Sequence, residues 1–111
     1  MEIVKIQDVK AADRPDVLMK TLLDRQNASG SEVTLGTVIF PPGARVPAEG
    51  MGVHEADEYS IILKGSIKTM SGGREYQVSG GQVTFIPAGE EHWAFNDSEE
   101  DCEIIWFLVK N

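Results

Sequence analysis

The sequence predicts an all-β fold, and three observations carry this prediction. Short runs rich in Val, Ile, Thr and Phe recur along the chain, Gly and Pro separate them at regular intervals, and helical periodicity is almost absent. Strands punctuated in this way are typical of antiparallel sandwiches and barrels. Because 111 residues suffice for one hydrophobic core but not for two, we expect residues 1–111 to form a single domain.

The strand boundaries follow from the turn residues. Residues 16–26 are ambiguous, since Asp13 and Pro15 suit the start of a helix while the apolar runs after them suit a buried strand, which we favour. Residues 44–53 contain Pro47, Gly50 and Gly52 and are expected to be irregular. The other predicted strands cover residues 2–6, 32–40, 59–63, 66–70, 74–78 and 82–86, followed by a short strand from His92 and a last strand over 102–109.

Charge and composition limit the partners. The formal net charge is -8 and no basic cluster occurs, so nucleic acids and anionic membranes would be repelled. Residues 1–10 lack the apolar run of a signal peptide, and no segment has the roughly 20 apolar residues that span a bilayer. We therefore expect a cytoplasmic protein without a nucleic-acid or membrane partner. The one cysteine, Cys102, is expected to be a buried structural thiol.

The last strand is apolar on both faces. Alternation places one set of side chains on one face and a second set on the other, namely Cys102, Ile104, Trp106 and Leu108 against Ile105, Phe107 and Val109. An end strand of a small barrel normally has one wet face, so a further sheet or a second subunit should cover it. We expect a homodimer with this strand and an N-terminal strand in the interface.

One stretch, residues 81–96, places a histidine at a fixed point in the predicted fold. A strand ends at Pro87, a turn follows, and His92 opens the next strand. Pro87 fixes its own φ and Gly89 can adopt positive φ, so the backbone sets the direction in which His92 leaves the turn. This placement suits a ligand, although a hairpin with an incidental histidine fits the turn equally well.

These residues resemble the motifs of the cupin superfamily. The later motif is matched at all of its fixed positions, which here are Gly81, Pro87, Gly89, His92 and Asn96. The earlier motif is matched in part by His54, Glu58 and Gly65, with Gly52 where the family usually has its first histidine. The resemblance implies a double-stranded β-helix, that is, a jelly-roll barrel. It does not identify a reaction, because cupins include dioxygenases, isomerases, lyases and non-catalytic binding proteins.

The resemblance also implies a metal site formed by His54, Glu58 and His92. Two imidazoles and one carboxylate on one side of a divalent transition metal leave open positions for water or substrate. Iron, manganese, nickel and zinc all suit this ligand set. Either Gly52 leaves the fourth position empty, or the inserted loop before it lets Glu49 reach the metal; we favour the three-ligand site because the neighbouring glycines make the loop mobile.

Two further residues are candidates for the pocket. Tyr59 could donate a proton in the cavity, and Arg45 could bind a substrate carboxylate at its entrance, although packing and solvation are the more ordinary roles of these residue types. Two functions remain open. The chain is either a metal-dependent enzyme of dioxygenase, isomerase or lyase type acting on a small organic molecule, or a non-catalytic binding or sensing module with a degenerate metal site.

Overall fold

The all-β prediction is confirmed by the computed structural model, which describes residues 1–110. Nine strands form two antiparallel sheets that face each other as a jelly-roll barrel. The strands are β1 Leu18–Leu23, β2 Val33–Phe40, β3 Arg45–Val46, β4 Ala56–Lys64, β5 Ser66–Ser71, β6 Arg74–Ser79, β7 Val83–Ile86, β8 His92–Phe95 and β9 Cys102–Lys110.

The topology places the last strand at the centre of the larger sheet. This sheet has the order β1-β2-β9-β4-β7, and the smaller sheet has the order β3-β8-β5-β6. Strand β9 pairs with β2 through Gly36 opposite Trp106 and with β4 through Ser60 opposite Trp106. Because alternate residues face the smaller sheet, Glu58 and Ser60 of β4 point into the barrel while Tyr59 points out of it.

A single residue, Gly65, takes the chain from one sheet to the other. It lies between β4 of the larger sheet and β5 of the smaller one and has a φ of 82°. A Cβ at this position would clash with the carbonyl oxygen of Asp101. Only glycine therefore meets both the left-handed conformation and the close backbone approach.

The core lies between the two sheets and includes one fully buried polar side chain. Asn96 is 0% exposed, and its amide donates to the carbonyl oxygens of Phe40 and Glu100 at 2.8 and 2.7 Å. Its side-chain oxygen accepts from the backbone and hydroxyl of Ser98. These bonds tie the end of β2 to the loop before β9. The buried apolar cluster of the core consists of Val17, Val38, Phe40, Ala44, Ile62, Ile67, Cys102 and Ile104.

The N-terminal segment departs from the prediction. The strand expected over residues 2–6 is wrong, because no strand pairs with this segment, and only a short 3-10 helix, Ile6–Asp8, forms there. Ile3 is 84% exposed. The strand favoured within residues 16–26 is confirmed as β1, and the irregular segment 44–53 contains the two-residue β3. Within residues 1–110, no helix is long and apolar enough to cross a membrane.

Candidate metal centre

The structure brings His54, Glu58 and His92 together at one end of the barrel. One ligand atom from each lies within 4.8 Å of the others. His54 Nε2 is 3.4 Å from Glu58 Oε1, and the two imidazole rings meet edge to face with their centroids 4.6 Å apart. All three residues are partly buried, so the cluster is shielded by protein yet open to small molecules.

One turn, residues 87–90, holds the segments that carry these ligands. The backbone N–H of Gly89 donates to the carbonyl oxygen of His54 at 2.8 Å. The N–H of Ala88 donates to Oδ1 of Asp57, the neighbour of Glu58, at 2.9 Å. Asp57 is therefore an acceptor for this turn. The turn therefore couples the loop before β4 to the start of β8.

The same turn sets the tautomer of His92. Its Nδ1 lies 3.0 Å from the carbonyl oxygen of Glu90, and since a carbonyl can only accept, Nδ1 carries the proton. Nε2 keeps its lone pair for a metal ion. The Glu90 carboxylate accepts a hydrogen bond from the hydroxyl of Ser71, which lies opposite His92 in the β5–β8 register. Neither Ser71 nor Glu90 was predicted, because this pairing is set by register between distant strands.

Gly52 borders the open side of the cluster. It forms an antiparallel bridge with His92, and each N–H donates to the other's carbonyl oxygen, at 2.8 and 2.9 Å. Residues directly opposite in such a bridge point to the same face. A Cβ added at Gly52 would lie 4.0 Å from Nε2 of His92 and 3.7 Å from Cδ of Pro47, which are ordinary contacts. The structure thus leaves room for a side chain beside the cluster.

The cluster opens into a cavity of about 380 Å³ between the sheets. Its depth can be followed along the inner face of β4, where exposure falls from 22% for the Glu58 side chain to 8% at Ser60 and 2% at Ile62. The cluster of His54, Glu58 and His92 is therefore at the mouth. Trp106 also lines the cavity, and its indole packs against the backbone at Gly36, where any Cβ would clash with the ring.

Arg14 also lines the cavity and was not predicted from the sequence. Its guanidinium donates to both carboxylate oxygens of Asp16, at 2.7 and 2.9 Å. The hydrogen bond from Arg14 lowers the pKa of Asp16 to about 2. The cation is thus neutralised by a near neighbour in the segment before β1, and it offers little free charge to a ligand.

The other sequence-predicted candidates lie outside the cavity. Tyr59 is 43% exposed on the outer face, against Phe85 with ring centroids 5.0 Å apart, so the pocket role does not fit its position. Arg45 donates to the carbonyl oxygens of Pro47 and Gly50 at 2.7 and 2.9 Å and thereby holds the loop. Glu49 is exposed, and the cluster contains no atom of it.

The donor set fits a divalent transition metal. His92 presents a neutral nitrogen lone pair, His54 a second ring nitrogen, and Glu58 a carboxylate on the same side of the mouth. Imidazole and carboxylate ligands suit iron, manganese, nickel and zinc alike, and the open side at Gly52 agrees with a site that keeps exchangeable positions. The geometry therefore matches the three-ligand arrangement better than one that includes Glu49.

The chain belongs to the cupin family, since the family model described as the cupin domain matches residues 36–108. Solved structures share its fold. A predicted oxalate decarboxylase from Thermotoga maritima superposes with a TM-score of 0.85 at 22% identity, covering 99% of this chain and all of that one. The polyketide cyclase RemF from Streptomyces resistomycificus superposes with a TM-score of 0.81 at 23% identity, covering all of this chain and 80% of the cyclase.

A curated relative matches over part of its length. It is named Endoribonuclease YbeY, comes from Myxococcus xanthus, and is 29% identical over 75 residues. The match covers 68% of this chain and 24% of that protein. The chain thus spans about a quarter of the curated relative.

Proposed function

We propose that the protein is a metal-dependent enzyme acting on a small organic molecule inside the barrel. The observation that carries this proposal is the convergence of His54, Glu58 and His92 at the mouth of a cavity of about 380 Å³. A metal-ligand cluster that opens into an apolar cavity is the arrangement in which a bound ion can contact a buried substrate. The ion is a divalent transition metal of the iron, manganese, nickel or zinc group.

The chain's own residues define what the site can do. A divalent ion held there would supply Lewis-acid chemistry toward an oxygen of the substrate. His92 is oriented by Glu90, and Glu58 contributes the one negative charge of the cluster. The walls exclude water from the part of the substrate beyond the mouth, which strengthens electrostatic interactions at the cluster.

The reaction type is proposed as oxidative, isomerising or bond-breaking without hydrolysis, that is, of dioxygenase, isomerase or lyase type. The names of the two similar structures, a decarboxylase and a cyclase, differ in reaction and support a shared scaffold with varied chemistry. RNA cleavage is not proposed, because the net charge of -8 opposes binding of a phosphate backbone. The alternative is a non-catalytic binding or sensing module, which the open position at Gly52 would also permit.

We also propose that two copies associate through the outer face of the larger sheet, to which β9 contributes; the N-terminal strand expected in this interface does not form. Large apolar side chains are exposed there on adjoining strands, including Leu63 at 56%, Phe85 at 53% and Val83 at 73%. Exposed apolar patches of this kind favour self-association. Sedimentation should give a dimer at micromolar concentration and a monomer for Phe85→Glu; a monomeric parent protein would contradict the proposal.

A cytoplasmic location is proposed as well, since it suits the unpaired thiol of Cys102.

The metal site is tested by elemental analysis of the parent protein and three variants, all purified without a histidine tag. Elemental analysis should find stoichiometric transition metal in the parent protein and severe loss in His92→Ala and Glu58→Gln. Glu55→Gln is the matched control, because this neighbouring carboxylate is exposed and outside the cluster. Full occupancy in His92→Ala would contradict the assignment. Absence of metal from the parent, with no affinity on titration, would favour the binding module.

A further inference from the structure

We propose that the substrate has an oxygen-bearing head at the metal cluster and an uncharged, largely hydrocarbon body, about two benzene rings in size, in the depth of the cavity. This inference rests on the proposed function for the position of the head. The body is assigned independently, from the cavity walls. A hydrocarbon body distinguishes the proposed ligand from small dianions and from molecules rich in hydroxyl groups.

The first support is the order of side chains from the mouth to the floor. Across the inner face of β4 and β9, Glu58 lies opposite Leu108, Ser60 opposite Trp106 and Ile62 opposite Ile104. All six line the cavity. The sequence of layers is therefore carboxylate, hydroxyl with indole, and finally hydrocarbon, while burial increases in the same direction.

The second support is the charge of the walls. Only two of the cavity-lining residues carry a full charge, Glu58 in the cluster and Arg14, whose guanidinium is bound by Asp16. The polar groups deeper in the cavity are neutral: the hydroxyls of Ser60, Thr69 and Thr84 and the indole N–H of Trp106, which has no partner within the described residues. The Thr69 hydroxyl already donates to the carbonyl oxygen of Trp93. A charged body would lose its hydration without meeting a free counter-charge, and a body with many hydroxyls would find only these few neutral groups, so both should bind weakly.

The third support is the size of the cavity. An apolar cavity of about 150 Å³ can hold benzene, and this one measures about 380 Å³. It therefore accommodates about two rings, or an aliphatic chain of similar volume. Isoleucine side chains surround this space from both sheets, with Ile67 on β5 facing Ile62 and Ile104 of the larger sheet.

Hydroxamates test the body while the head stays constant. We would load the protein with zinc and titrate it by calorimetry with acetohydroxamate, benzohydroxamate and 2-naphthohydroxamate. Affinity should rise at least about tenfold with each added ring, because each ring removes further apolar surface from water. Oxalate should bind more weakly than 2-naphthohydroxamate. Equal affinities across the series, or tighter binding of oxalate, would overturn the inference while leaving the metal site in place.

A matched pair of variants locates the binding. Ile104→Phe adds a ring inside the cavity, whereas Ile105→Phe adds one to the adjacent residue outside the cavity lining. The inner variant should lose about tenfold in affinity for 2-naphthohydroxamate and keep its affinity for acetohydroxamate and its zinc content. The outer variant should bind like the parent. Equal losses in both variants would place the probe elsewhere and contradict the proposal.

A measurement without metal separates this inference from the proposed function. Trp93→Phe leaves Trp106 as the single tryptophan, and Trp106 lines the cavity. Iodobenzene has no metal-binding head and quenches tryptophan through its iodine. Saturable quenching in the metal-free protein supports an apolar cavity site even if the metal assignment fails. Quenching that stays linear with concentration would show that the cavity does not take a hydrocarbon body.

Discussion

Replacing Gly52 by histidine should convert the three-ligand cluster into a four-ligand one. The residue has ordinary backbone geometry and sits across a bridge from His92, so a side chain there points toward the cluster. Its Cβ would meet no atom closer than 3.7 Å. The substitution therefore needs no rearrangement of the loop that begins at Pro47.

The expected gain can be estimated from known zinc sites. Four protein ligands bind zinc with about 10–16 kcal/mol, so one ligand corresponds to about 3 kcal/mol. Ordering the new imidazole costs about 1 kcal/mol. The remainder of about 2 kcal/mol predicts about 30-fold tighter zinc binding by Gly52→His, since 1.4 kcal/mol is a factor of ten. Any reaction that needs the open position should slow.

Competition titration against a zinc chelator measures this change, with Gly52→Ala as the control for the lost glycine. Gly52→Ala should bind zinc like the parent, because its methyl group makes only ordinary contacts. Glu49→Gln should also leave affinity unchanged, since Glu49 is exposed and outside the cluster. Unchanged affinity in Gly52→His, combined with sharply weaker binding in Glu49→Gln, would refute the three-ligand geometry and assign Glu49 as a ligand.

Two further predictions concern residues that the structure added to the site. Ser71→Ala removes the hydroxyl bound to Glu90, which should loosen the carbonyl that orients His92 and weaken zinc binding about tenfold. Zinc titration measures this change, and Ser71→Thr should restore the affinity. An unchanged zinc affinity in Ser71→Ala would exclude a positioning role. Asp16→Asn should cost about 1 kcal/mol of stability at neutral pH after allowance for solvent screening. Because Arg14 holds the folded pKa of Asp16 at about 2, this contribution is present above about pH 4 and is lost as pH falls through 2. The stabilities of the two proteins in urea denaturation should therefore approach each other as pH falls from 4 to 2, and a constant difference would contradict the assignment.

Much of the fold could be predicted because the strand ends are marked by turn chemistry. Strand β6 begins and ends within one residue of its predicted bounds, since glycine pairs precede and follow it. The strand predicted over residues 2–6 failed for a different reason. Its composition suits a strand, but a strand also needs a hydrogen-bonded neighbour, and residues 2–6 lie outside both sheets.

In the candidate site, too, some residues could be predicted from the sequence and others could not. The meeting of His54, Glu58 and His92 could be predicted because the three residues fall on the positions of the cupin motifs that the sequence resembles. Tyr59 was kept as a pocket candidate although Glu58 beside it faces inward, and alternation along β4 turns the tyrosine outward. Arg14 and Ser71 could not be found, because one reaches the cavity from outside the predicted strands and the other meets Glu90 only through the pairing of β5 with β8.

The buried thiol of Cys102 can report how often the barrel opens. It is 0% exposed, and burial raises its pKa to about 11, so at pH 8 only about one molecule in a thousand would carry the reactive thiolate even if a reagent could reach it. Labelling must wait until the strands around it separate, and its rate counts those openings. Any compound that binds only the closed barrel slows the labelling by a factor of one plus its concentration over its Kd. Mixtures of metabolites could therefore be screened for the natural ligand before any reaction is known.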